Sequence, residues 1–160
     1  MPGDGWPTAA EVLAQEERLA LPSCSVEDAL WIGQWLLDRA RERSLAVTVE
    51  VWRGSRLVFR AARPGTDAHN DLYLAGKRRV VEHFAHSSFY ERLRHEEAGT
   101  SFAAATGLQF PDYAPHGGGF PLSVRGTGPV GVALVSGLPQ ALDHALIVEA
   151  LEAFLAARAG

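Results

Sequence analysis

The segment Val130-Gly131-Val132-Ala133-Leu134-Val135 has no polar face. Strand side chains alternate between two faces, so a strand that is apolar on both has to be covered on both. That requirement dictates layers, with helices above and below a sheet and this segment in its interior. The rest of the chain must supply flanking strands and amphipathic helices.

Both are legible. Val47, Val49 and Val51 alternate with Thr48, Glu50 and Trp52, the rhythm of a strand. Gly54-Ser55 suits a tight turn, because glycine takes the positive φ of its first position. Leu57, Phe59 and Ala61 complete a hairpin over Val47–Ala61, and a second, Phe120–Ser136, turns at Gly126-Thr127-Gly128. Thr8 and Glu11 are spaced as a capping box for a helix over Thr8–Leu19, whose partial stripe suggests packing late or on another subunit. Ser25 and Asp28 open a second helix, with Ala29, Ile32, Gly33, Leu36, Leu37 and Ala40 at three- and four-residue steps.

Pro64-Gly65-Thr66-Asp67 delivers a cap to a helix over Ala68–Ala85. Ser88–Glu97 and Phe102–Gly107 read as further helical stretches and Leu108–Gly119 as a loop. Pro139 fits the first turn of a closing helix, Gln140–Arg158. Its Leu142, Leu146, Ile147, Leu151, Phe154 and Leu155 spread widely enough for core on one side and subunit contact on another. No strand–helix–strand unit carries the glycine fingerprint of a parallel nucleotide-binding sheet. The expected architecture is a mixed α/β domain of the α+β kind, one antiparallel sheet from two hairpins with helices on its faces.

Composition narrows the partners. At 160 residues the chain suits one domain, 8–160, behind a flexible tail, 1–7, that holds two Pro and two Gly. Lys and Arg total 15 against 19 Asp and Glu, a net charge of −4, which offers none of the dense basic surface a nucleic acid needs. Cys24 is the only cysteine, so the fold uses no intrachain disulfide. The first residues lack the basic and apolar runs of a secretory signal. No apolar stretch nears the ~20 residues that span a bilayer. Cytoplasm, without membrane insertion, is the expected setting.

A family resemblance is carried by an ordered set of short segments. They are Leu19-Ala20-Leu21-Pro22-Ser23, Arg63-Pro64-Gly65-Thr66, Asn70-Asp71 with Lys77-Arg78, and Ser87-Ser88. Ala114-Pro115-His116-Gly117-Gly118-Gly119-Phe120-Pro121, Val135-Ser136-Gly137-Leu138-Pro139-Gln140 and Asp143-His144 complete it. In this order the chain, from Leu19 to Leu155, resembles the uncharacterised cytoplasmic branch of the GlcG/HbpS-like, or haem-degrading-domain, family. The resemblance implies a profilin-like three-layer fold and a symmetric homo-oligomer. It also implies haem as a ligand to test, since some relatives bind it or are linked to its degradation. One eukaryotic relative is associated with handling of tail-anchored membrane proteins. Leu72-Tyr73-Leu74 departs from the pattern, where a Trp is expected after the Asn-Asp pair.

Candidate site residues follow from their chemistry. His116 precedes three glycines, which let backbone approach a ligand and expose amide donors such as that of Gly118; a loop imidazole can bind metal or move a proton. The plainer reading is a turn whose histidine bonds the backbone. Lys77 and Arg78 lie on the helix face of Leu74 and Val81. A cation there needs a partner, either a ligand carboxylate or, with the stem snorkelling, Asp71 or a neighbouring subunit. His83 and His86 are spaced to share a metal but sit beside Arg79 and Glu82, so solvated side chains are expected and no metal site. Asp143 and His144 suit capping or an interface.

Lys77, Arg78, His116, Gly118 and Phe120 therefore border the expected pocket, for haem or another anionic planar molecule. The rival is a non-catalytic oligomeric scaffold, such as a protein-targeting or chaperone-associated factor. A third class, an enzyme using His116 as base, lacks the rest of a catalytic constellation.

Overall fold

The computed structural model describes residues 5–159. Its elements run α1 (Ala9–Arg18), α2 (Val26–Glu42), β1 (Thr48–Arg53), β2 (Arg56–Ala62), α3 (Ala68–Phe84), α4 (Ser88–Glu97), α5 (Phe102–Thr106), β3 (Gly119–Val124), β4 (Gly128–Ser136) and α6 (Gln140–Ala159). The two hairpins form one four-stranded sheet in the order β2-β1-β4-β3, every pair antiparallel.

The apolar strand β4 lies inside the sheet, between β1 and β3. Ala133 and Val135 join Val49, Val51, Phe120 and Leu122 beneath α2 and α6, in a core with Ile32, Leu36, Ile147 and Phe154. Val132 and Leu134 face the other way, onto Leu74 and Val81 of α3. Both faces are thus covered, as the missing polar face requires. Gly131 lets β1 close on this strand, because a Cβ there would stand 2.2 Å from the Trp52 carbonyl oxygen.

Capping places the helices as the sequence indicates. Thr8 with Glu11 and Ser25 with Asp28 both form reciprocal boxes, and Asp67 caps α3. Helix α1 packs on α4 of its own chain, where Ala9, Val12, Phe89 and Leu93 make a separate small core. Of the expected tail, residues 1–4 lie outside the described residues, while Trp6 meets Phe89 edge-on at 5.2 Å. The wide apolar surface of α6 is mostly used within the chain; Leu142 is left 54% exposed.

Replacing Gly131 by Ala should lower the denaturation midpoint, since the added methyl meets backbone that can move only by parting β1 from β4. Chemical denaturation followed by circular dichroism checks this, with Gly131→Ala unfolding earlier than wild type. An unchanged midpoint would contradict the close approach.

Candidate functional site

Lys77 is buried on the stripe of α3 that the sequence marks as apolar, at 2% exposure. Its Nζ donates to the Val135 carbonyl at 2.9 Å and to Asp143 Oδ2 at 3.3 Å. The partner is therefore neither Asp71, which pairs with Arg60, nor a second subunit. Asp143, near the start of α6, also accepts the Leu138 amide through Oδ1 at 3.0 Å. One buried pair ties α3, the end of β4 and the entry to α6.

The glycine run makes this reach possible. A Cβ on Gly118 would lie 2.3 Å from the Val135 oxygen and 2.7 Å from Lys77 Nζ, and one on Gly119 would lie 3.2 Å from Lys77 Cβ. The lysine thus crosses from the α3 layer to the α6 layer through a gap left by absent side chains. The Gly117 amide donates to Gln140 Oε1 and the Gly119 amide to Ser88 Oγ. Those two are spoken for, contrary to the expectation of free donors. The Gly118 carbonyl is likewise taken, accepting the Val135 amide.

Beside the pair opens a cleft of about 290 Å³ whose walls include Asn70, Tyr73, Lys77, His116, Ser136 and Asp143. The ring of Tyr73 stands 5.5 Å from that of His116 and 5.2 Å from those of His69 and Phe110. Two larger hollows exist, about 330 Å³ beside Gly131 and Glu82 and about 550 Å³ between α1 and α6. Neither has an ion pair buried in its wall.

The expected set is only partly brought together. Lys77 and His116 share the cleft. Arg78 does not join them; its guanidinium stacks 3.5 Å above the Trp52 ring and its Nε bonds Glu82. Phe120 is 1% exposed, in the core under α6, with its ring 5.7 Å from that of His144. Gly118 makes room for Lys77. Tyr73, one helical turn before Lys77, carries a signal in its spacing. Asp143 and Arg92 carry none, their contacts being set by the tertiary fold.

Burial governs the charges. It pushes the Asp143 carboxyl up to about 6 and the Lys77 ammonium below its ordinary value, and in each the partner's opposite charge works the other way. His116 is pushed down to about 4, first by burial and then by Arg92 and Lys77. Arg92 Nη1 lies 3.0 Å from His116 Nδ1. His144 is buried between Phe89 and Phe120, bonds Gln15 through Nε2 and is also pushed down to about 4. It serves as an internal strut, whereas a cap or an interface contact was expected. His86 bonds Glu16. Among the described residues no group of three His, Cys, Asp or Glu is placed to hold a metal, and no helix is long and apolar enough to cross a membrane.

Known proteins share this fold. The family model described as haem degrading protein HbpS-like matches residues 24–152. A UPF0303 protein of Streptomyces avermitilis is 46% identical over 149 residues, 93% of this chain and 91% of its own. The crystal structure of Ybr137w protein superposes with a TM-score of 0.85 at 25% identity, over 93% of this chain and 88% of that one. That of the PduOC:heme complex reaches 0.67 at 17% identity, over 84% and 94%, a likeness of fold alone. The chain belongs to the HbpS-like family.

The buried histidines make stability depend on acid. Their folded values lie below the unfolded one of about 6.5, so their contribution is complete above that pH and is lost as pH falls toward 4. Asp143, shifted the other way, returns part of it below about 6. For His144 alone the loss between pH 7 and pH 5 is about 2 kcal/mol. Denaturant titrations at the two pH values should show a smaller loss for His144→Gln than for wild type. Equal losses would mean that His144 is not held neutral.

Proposed function

We propose that this member of the HbpS-like family is a small-ligand-binding protein whose ligand sits in the cleft beside Lys77 and Asp143. The observation that carries the reading is the buried ion pair in the wall of an open cleft. Desolvating two ions costs several kcal/mol each, and apolar residues of the same volume often hold layers together as well or better. A pair kept at that cost, next to converging polar groups with shifted ionisation, is the usual mark of a binding site. Tyr73 and His69 give the mouth flat aromatic walls, which suit a planar ligand. Lys77 and His116 favour one bearing a carboxylate or carbonyl oxygen.

Size bears on which ligand. Small-molecule sites run roughly 300–1,000 Å³, and this cleft, at about 290 Å³, is at the lower end. A one-ring aromatic acid matches that volume. The haem carried by the PduOC relative would have to enter by a carboxylate edge, with its macrocycle against the aromatic mouth. We also infer self-association through α6, where exposed Leu142 borders the groove against α1; this second reading keeps an interaction role open beside the binding one.

Calorimetric titration with benzoate and other small aromatic carboxylates, and in parallel with haemin, tests the first reading. A carboxylate should bind, and His116→Ala should weaken it about two- to tenfold, the worth of one neutral hydrogen bond at about 0.5–1.5 kcal/mol, with the melting temperature within a few degrees of wild type. No binding by any compound, or binding indifferent to His116→Ala, would overturn it. Light scattering on the same sample should exceed the 17.3 kDa of one chain; a monomer mass would remove the self-association.

A further inference from the structure

The contact between Arg92 and His116 decides which proton the cleft can offer. A guanidinium has only donors, so at 3.0 Å from Arg92 Nη1 the Nδ1 of His116 must present its lone pair. Arg92 is held from its other end by Glu96 Oε1 at 3.2 Å, one turn along α4. Ser88 fixes the backbone beneath, donating its hydroxyl to the His116 carbonyl. A neutral imidazole with its lone pair on Nδ1 carries its proton on Nε2. Arg92 itself does not line the cleft. It lines a neighbouring hollow of about 230 Å³ that shares His116 as a wall.

We infer that Arg92 is a positioning residue that fixes His116 as a neutral Nε2–H donor, so that the cleft selects a ligand through an oxygen acceptor, a carbonyl or carboxylate, and not through a metal bound to the imidazole. This rests on the cleft being a ligand site, and it deepens that reading by setting the ligand's chemistry. The groups around His116 agree. Arg92 reaches it from α4, Lys77 bears on it from α3 and Tyr73 stands beside it, while Asp143 of α6 answers Lys77. Burial first lowers the proton affinity of His116, and the second cation that a protonated imidazole would place beside the guanidinium lowers it further. Iron at Nε2 would need that nitrogen's lone pair. The proton would then move to Nδ1 and point at the Arg92 N–H, donor against donor. His116 thus does not fit the part of a haem axial ligand, nor of a general base, because its one lone pair is already engaged.

Long-range 15N–1H correlation spectra of histidine-labelled protein at pH 7 read the tautomer directly and need no ligand. His116 should show Nδ1 unprotonated and Nε2 protonated. Arg92→Met should move the proton population toward Nδ1 and raise the His116 titration midpoint from about 4 by about one unit, tenfold in proton affinity. Arg92→Lys, which keeps a donor and a charge, should preserve the wild-type pattern. With haemin as probe, wild type should give no histidine-ligated Soret band that His116→Ala removes. A wild-type His116 with its proton on Nδ1, a pattern unchanged in Arg92→Met, or a Soret band abolished by His116→Ala would each overturn the inference. Failure of every carboxylate to bind, with the tautomer as stated, would instead remove the cleft reading and leave the role of Arg92 standing.

Discussion

The contact between Lys77 and Asp143 is the constraint to which the rest of the site is fitted. An ammonium and a carboxylate at 3.3 Å, each with a side chain 3% exposed, are stable out of water only if their remaining hydrogen-bonding capacity is met. The Val135 carbonyl and the Leu138 amide meet part of it. Val135 lies near the end of β4 and Leu138 in the short passage from it into α6, so that stretch has to lie where the pair can reach it. The glycines before β3 follow from the same demand. Any side chain on Gly118 would occupy the space of the lysine Nζ or the Val135 oxygen.

Position of the pair also shapes the electrostatics of the cleft. Lys77 is close enough to His116 to help keep it neutral, and Arg92 does the same from α4. A neutral donor beside a compensated ion pair makes a wall that offers hydrogen bonds without a large net charge. Such a wall rewards an acceptor oxygen of defined position more than it rewards charge alone. The aromatic rings of Tyr73 and His69 supply the flat remainder.

The layers were legible in the sequence because strand alternation and helical periodicity are local. Val132 and Leu134 had to face one helix layer while Ala133 and Val135 faced another, and they do. The need of Lys77 for a partner was equally legible, since a cation on an apolar stripe cannot stay unpaired. Its partner, 66 positions away in sequence, was not. Arg78 fails to join Lys77 because consecutive helical residues point about 100° apart, which carries its guanidinium to Trp52. Phe120 fails for the matching reason in a strand. It shares its face with Leu122, under α6, opposite the face that α3 covers. The glycine triplet looks like a ligand cradle, yet the space it leaves is filled by the protein itself, by the Gln140 backbone at Gly117, by Val135 and Lys77 at Gly118, and by Ser88, Val81 and Lys77 at Gly119. Both arrangements use the same residue type, so composition alone could not separate them.

The most direct measurement is a double-mutant cycle on the pair, read by denaturant unfolding at neutral pH. Lys77→Met leaves a buried carboxylate without its counter-ion, and breaking such a pair typically costs about 3–5 kcal/mol. Asp143→Asn keeps an oxygen for the Leu138 amide while removing the charge. Added to Lys77→Met, it should restore much of the lost stability, giving a coupling of several kcal/mol between the two positions. Single substitutions that cost less than about 1 kcal/mol, the range of an exposed pair, or costs that simply add, would contradict a buried ion pair as the anchor of this site.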